Sequence, residues 1–362
     1  MRKKEIGSNF WMSKEEREIA KSLDGGIFGL GKWRNCQLTS SGRGAIKLLL
    51  RNLPEVKIAL LPEYTCSSVI SPMEEVGVKC CYYPVNKDFS VNEDVLLDLI
   101  EKFSPQMVYF QSYYGFDTLS SIERAYPSIQ QKGILIVEDI THSWLCDFNT
   151  TEADYSVASL RKWLEIPDGG VLLSNKHTLD FDMNGNESAE IVSEFVKASE
   201  LKEKYFSTLN PADKEAFRQH YVNAKDLLQT DTTVYRMSSM AESVLAQTDF
   251  DRVIKRRRAN AAFLHQNIKS ELVVSCGVEF TGEATPLYYP VYVKGDRSKL
   301  QKELAEHDIY CPVHWPIPSQ ASQLISEEGM YIYSHVLSLI CDQRYDEDDM
   351  SAIVQIINYH KE

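Results

Sequence analysis

Three short segments combine residue types that can hold an anion, pair a carboxylate with a cationic ring, or supply a nucleophilic amine. The first, Thr39-Ser-Ser-Gly-Arg-Gly-Ala-Ile46, is a glycine-rich turn running straight into an amphipathic pattern. Backbone N–H groups and the positive end of a helix would converge there, which is how phosphate is held, and the hydroxyls of Ser40 or Ser41 add donors. The second, Ile134-Leu-Ile-Val-Glu-Asp139-Ile-Thr-His142, ends an apolar run in a carboxylate, with a histidine three residues on. The third, Ser159-Leu-Arg-Lys162-Trp-Leu-Glu-Ile-Pro-Asp-Gly-Gly170, sets a lysine just past an apolar run and ends in a glycine pair. A cationic neighbour, Arg161, and apolar walls disfavour the ammonium form, which makes the Lys162 amine nucleophilic.

Each segment has a plainer reading by itself: a helix cap at Ser41, a turn cap at Asp139, an exposed loop lysine at Lys162. In this order they meet the needs of one cofactor. Pyridoxal phosphate (PLP) requires a phosphate cup, a carboxylate that keeps its pyridine nitrogen protonated, and a lysine for its aldehyde carbon. On this reading Ser41, Gly42, Arg43, Gly44 and Ser159 hold the phosphate and Asp139 faces the pyridine nitrogen. His142 meets the phenolic oxygen, and Lys162 is the Schiff-base lysine.

The elements around these segments predict how they are positioned. Strands are expected at Lys57–Pro62, Val78–Val85, Gln106–Gln111, Ile134–Asp139, Asp154–Leu160 and Gly170–Ser174. Between them, Ile46, Leu49, Leu50 and Leu53 fall on one helix face, and Val91–Phe103 reads as a helix capped by Ser90 or Asn92. Such alternation predicts a mainly parallel sheet covered on both faces, with ligands at the carboxyl ends of its strands. Residues 176–230 are polar, acidic and helix-prone, with Pro211 opening one helix. Met237–Asn267 reads as one long helix. Beyond about residue 270 the expected order is strand, strand (Leu287–Val293), helix (Arg297–Glu306), strand (Ile309–Trp315) and a helix from Glu347. The division expected is a large α/β domain, 1–245, carrying the helical segment 176–230, and a small α+β domain, 246–362.

Composition excludes other classes. A net charge of −13 argues against a nucleic-acid surface, and the basic cluster Lys255–Arg258 reads as a solvated helix face or subunit contact. The eight cysteines form no C-x-x-C pair, so neither a disulfide framework nor a zinc site is expected. The charged start Met1-Arg-Lys-Lys-Glu5 lacks an apolar stretch, and no run approaches the roughly 20 residues of a membrane span. A cytoplasmic protein is expected.

Over nearly its whole length the sequence resembles the DegT/DnrJ/StrS sugar aminotransferases, which are fold type I PLP enzymes. Ser41-Gly-Arg-Gly-Ala-Ile46 resembles the family's S-G-T-A-A-L turn, and Leu61-Pro-Glu-Tyr-Thr-Cys66 the P-x-x-T-[FW] segment. Val137-Glu-Asp-Ile-Thr-His142 is similar to V-E-D-x-A-[HQ], and Ser159–Gly170 to the lysine segment ending in [ED]-G-G. Val234-Tyr-Arg-Met237 with Ala241 resembles N-Y-R-M…A, through which one subunit reaches its partner's site. Ile309–Pro316 resembles a segment near the substrate.

The resemblance implies a seven-stranded, mainly parallel sheet, a small C-terminal α+β domain, and a homodimer with its active site shared between subunits and domains. It also implies transfer of an amino group from glutamate to a nucleotide-linked keto sugar, for surface polysaccharide or related biosynthesis. Tyr64, Tyr113, Tyr235, Arg236 and His314 are the substrate-side residues it points to. Departures from the pattern are Cys66 at the ring-stacking position, which leaves Tyr64 or Tyr113 for that role, Arg43 for threonine, Ser112 for histidine, Val234 for asparagine, and a shortened interval from Ser159 to Lys162. Two alternatives stay open: an amino-acid lyase or decarboxylase on the same fold, and a non-catalytic PLP-binding member.

Overall fold

The computed structural model describes residues 5–22, 35–148, 152–176, 178–179, 181–183, 186–230, 233–321 and 324–361. The charged start Met1–Lys4 lies outside them, as do residues 177, 180, 184 and 185 of the acidic stretch.

Seven strands form one sheet: β1 (Cys36–Thr39), β2 (Ile58–Pro62), β3 (Lys79–Tyr83), β4 (Met107–Gln111), β5 (Leu135–Asp139), β6 (Tyr155–Ser159) and β7 (Gly170–Ser174). Their order is β1-β7-β6-β5-β4-β2-β3. β2 pairs in parallel with β3 and with β4, and β4 with β5, whereas β7 is antiparallel to both β1 and β6. Every residue of β4 and β7 is buried, the continuous apolar pattern of strands covered on both faces. The helices, in chain order, are α1 (Lys14–Ser22), α2 (Gly42–Arg51), α3 (Ser67–Glu75), α4 (Glu93–Phe103), α5 (Ala125–Gln131), α6 (Ala189–Thr208), α7 (Pro211–Thr230), α8 (Ser239–Gln247), α9 (Phe250–Asn267), α10 (Arg297–Glu306), α11 (Glu327–His335) and α12 (Glu347–Tyr359). A second sheet, in the order β10-β9-β8, is antiparallel and built from β8 (Val273–Ser275), β9 (Tyr289–Val293) and β10 (Val336–Leu339).

The chain divides into two compact units. One comprises residues 9–53 and 155–248, the other residues 5–8, 54–154 and 249–362. In the first, α6 and α7 form a hairpin whose two-residue connection begins at Leu209, in the left-handed conformation (φ 53°) with its N–H bonded to the Tyr205 carbonyl at 2.7 Å. Phe195, Ala198, Phe217 and Tyr221 of the hairpin pack with Met12, Ala20 and Met240 in a separate small core. In the second unit, one extended core runs from Leu60, Val108 and Phe110 through Val291 and Leu300 to Ile353 and Ile357.

Three sequence expectations are corrected. Met237–Asn267 is two helices, not one: Thr248 is extended, and the Asp249 carboxylate accepts from Arg252 N–H at 3.0 Å, restarting the helix as α9. Ile309–Trp315 is not a strand. Only Ile309 bridges, to Ile6, and Pro312 has no N–H to give a ladder, so β10 supplies the third strand of the small sheet. The four-residue β1 was not anticipated; it pairs Thr39 with Gly170 and so fixes the entry to α2.

Candidate active site

In the first unit, three of the predicted segments meet. Ser41 is the cap of α2, its extended backbone turning the chain while its Oγ accepts from Gly44 N–H at 3.0 Å. The turn is pinned from both sides. Gly169 N–H donates to the Ser40 carbonyl at 2.7 Å, Leu160 N–H donates to the Gly169 carbonyl at 3.0 Å, and Ser40 N–H donates to the Tyr235 carbonyl at 2.9 Å. A Cβ placed on Gly42 would lie 3.2 Å from both the Cβ and the N of Ser159, so the start of α2 directly faces the end of β6. After Ser159 the chain makes a single 3-10 turn, Leu160–Lys162, closed by Trp163 N–H to the Leu160 carbonyl at 3.0 Å. Trp163 is fully buried and anchors the turn that carries Lys162. Arg43 donates to the Gln229 carbonyl at 2.6 Å, and it lines a recess with Ser40, Ser41, Gly44, Lys47 and Tyr235.

The glycine pair is preceded by a buried polar joint. Asp168 accepts three bonds from Ser238: from its N–H at 3.2 and 3.0 Å and from its Oγ at 2.6 Å. Ser238 also caps α8, accepting from Ala241 N–H at 3.2 Å. Burial pushes the Asp168 carboxyl up to about 7, against the opposing pull of the Ser238 bonds and of Arg161. This joint ties the lysine segment to Tyr235-Arg236, where Arg236 makes isolated bridges to Thr39 and Glu187.

In the second unit, Asp139 ends β5. Its Oδ1 accepts from Thr141 N–H at 2.8 Å and its Oδ2 from the Tyr109 hydroxyl at 2.9 Å. Burial and the adjacent carboxylate push the Tyr109 hydroxyl well above its ordinary range, so it stays a donor to Asp139. His142 is buried, and its Nδ1 accepts from Tyr114 N–H at 3.1 Å. A backbone N–H only donates, so the neutral ring carries its proton on Nε2. The ring stacks on Trp315 with centroids 5.4 Å apart.

His314 is buried, with Nδ1 2.8 Å from the Ser338 hydroxyl and its ring 4.8 Å from that of Tyr288. Tyr64 and Tyr113, expected as stacking or substrate-side rings, are core residues here. Both are fully buried beside Phe89, the Tyr113 hydroxyl donates to the Tyr64 carbonyl at 2.6 Å, and the Tyr64 hydroxyl bonds the Tyr114 hydroxyl and donates to the His314 carbonyl. Two large aromatic side chains lower their free energy most by packing on one another away from water. Cys66 itself is the cap of α3, half-buried, with the Ser68 hydroxyl donating to its sulfur at 3.0 Å.

The model of the DegT/DnrJ/EryC1/StrS aminotransferase family matches residues 29–358. The chain belongs to this family. No curated relative matches the sequence. Among solved structures, the chain is similar to the Helicobacter pylori aminotransferase PseC, involved in pseudaminic acid biosynthesis, at 13% identity over 98% of each chain (TM-score 0.70). It is similar to the sugar aminotransferase CalS13 of Micromonospora echinospora at 15% identity, covering 98% of this chain and 99% of that one (TM-score 0.69). A third is the PLP form of the sugar aminotransferase Spr1654 of Streptococcus pneumoniae, 14% identical over 97% of this chain and 92% of that one (TM-score 0.62). At these identities the likeness establishes the fold, and family membership makes the chain a PLP-dependent aminotransferase.

The residues present fit that family's cofactor by two observations: a cup in which an added Cβ at Gly42 would press on Ser159, and a buried strand-end carboxylate, Asp139, held by a neutral donor. Sequence reasoning missed Tyr109, Asp168 and Ser238. Asp168 precedes the glycine pair and carried a signal there. Tyr109 sits mid-strand among apolar residues and carried none.

Proposed function

We propose that this family member transfers an amino group from glutamate to a nucleotide-linked keto sugar, in surface polysaccharide or related biosynthesis, as a homodimer. The observation that supports the proposal is the close packing of Gly42, in the Ser41–Gly44 turn, against Ser159, three residues before Lys162. When bound, pyridoxal phosphate supplies an electron sink for the substrate's α-carbon. Ser41, Gly42, Arg43, Gly44 and Ser159 hold its phosphate, and Lys162 holds its aldehyde carbon. With its amine free, Lys162 would move a proton off and onto the reacting carbon, as general base and then general acid. Asp139, oriented by Tyr109 and Thr141, would keep the pyridine nitrogen protonated, and His142, with its Nδ1 taken by the Tyr114 N–H, would offer its Nε2 proton to the phenolic oxygen. Tyr235, Arg236 and His314 remain the substrate-side residues, and resemblance to PseC and CalS13 supports a sugar acceptor.

The test is direct. Purified protein should show a visible absorbance band, and borohydride should fix the cofactor on Lys162. Glutamate alone should then give one equivalent of 2-oxoglutarate and of pyridoxamine phosphate. A protein that binds the cofactor yet yields neither product is not an aminotransferase of this kind.

A further inference from the structure

The role of Lys162 leaves its neighbour Arg161 unexplained. The Arg161 Nε is buried and has no hydrogen-bond partner. Asp168 is the carboxylate in electrostatic reach, yet it is spent on three bonds from Ser238. Burial disfavours the Arg161 charge, Asp168 partly offsets this, and the nearby Arg43 guanidinium works against it. Arg43 belongs to the first turn of α2, whose amide end faces Ser159 at the entrance to the Arg161 turn. The Arg161 and Arg43 charges lie within electrostatic reach of each other beside the start of α2, and an anion with several acceptor oxygens would offset both.

We propose that Arg161, together with Arg43, binds the phosphate of pyridoxal phosphate, forming the cationic side of a cup whose amide side is the start of α2. This rests on the cofactor reading above. A phosphate monoester carries close to two negative charges and offers oxygens to a planar guanidinium fork, which a single hydroxyl does not match. The shortened Ser159–Lys162 interval fits the same arrangement, since one 3-10 turn then carries both the phosphate ligand and the covalent anchor.

The experiment titrates apoprotein with pyridoxal phosphate and, separately, with pyridoxal, which lacks the phosphate. Binding is read by visible absorbance and by borohydride fixation on Lys162. In Arg161→Gln the affinity for pyridoxal phosphate should fall roughly 10- to 100-fold, the loss of one charge-assisted bond, while pyridoxal binds within about twofold of the parent. Equal weakening of both ligands, or of neither, overturns the proposal. Should Arg161→Gln not fold, Arg161→Lys decides: it should retain charge but lose part of the preference for pyridoxal phosphate, and an unchanged preference overturns the assignment. A parent protein in which neither ligand is fixed on Lys162 fails the cofactor reading itself, an outcome visible before any Arg161 variant is made.

Discussion

Gly170 packs directly on the Ser41–Gly42 peptide: a Cβ there would come nearer than 3.0 Å to the Ser41 carbonyl and the Gly42 nitrogen, all of them backbone atoms. β7 thus begins where α2 begins, and the two ends hold each other in place. A Gly170→Ala change must push the strand and the turn apart, and overpacking of this kind costs about 1–3 kcal/mol. Chemical denaturation should show that loss together with weakened cofactor binding. Gly42→Ala, where the nearest atoms lie at 3.2 Å, should be the milder of the two.

Lys162→Ala should abolish both turnover and borohydride fixation of the cofactor while leaving the fold intact, because Lys162 is the last residue of a short turn that Trp163 closes and packs. Steady-state assay and mass spectrometry after reduction check this. Turnover persisting in the variant would place the reacting amine elsewhere.

Tyr109→Phe removes the 2.9 Å bond to Asp139 and leaves a buried carboxylate oxygen with one donor fewer. A bond to a charged group is worth about 1.5–3 kcal/mol, so stability should drop by that order. The first half-reaction with glutamate should slow as well, since the carboxylate then loses its orientation. A stability loss with an unaltered single-turnover rate would make Tyr109 a packing residue only.

Asp168 gives stability a pH dependence of definite sign. Its carboxyl is pushed up to about 7 in the folded protein from an ordinary value of 3.8. Between those values the folded state holds more protons than the unfolded state, so its contribution falls as pH rises through that window. The stabilising pull of Arg161 and the opposing push of Glu187 act within it. Asp168→Asn should remove the slope: denaturation of parent and variant at pH 5 and pH 8 should show the variant gaining relative stability at the higher pH, by about 1 kcal/mol or more.

Much of the frame was legible because it rests on local pattern. Six of the seven strands of the large sheet lie within the stretches marked by apolar runs, and α2, α4, α10 and α12 begin at or near positions marked by caps or periodicity. Asn92 caps α4 through Val95 N–H at 3.1 Å, as its residue type indicates. What escaped was decided by partners distant in sequence. β1 is four residues long and exists through pairing with β7, more than 130 residues away. Ile309–Trp315 carries strand-like residues, but Pro312 has no N–H for a ladder and the place beside β9 is taken by β10.

The candidate site divides the same way. Residue types and chain order alone marked an anion cup at Ser41–Gly44, a strand-end carboxylate at Asp139 and a lysine at Lys162, because turn, cap and strand-end chemistry are short-range properties. Only the tertiary structure buried Tyr64 and Tyr113 in an aromatic core, set Tyr109 on Asp139, spent Asp168 on Ser238 and left the Arg161 Nε without a partner. The physical reason is that burial and hydrogen-bond partners are set by which chain segments pack together, and those segments lie tens to hundreds of residues apart.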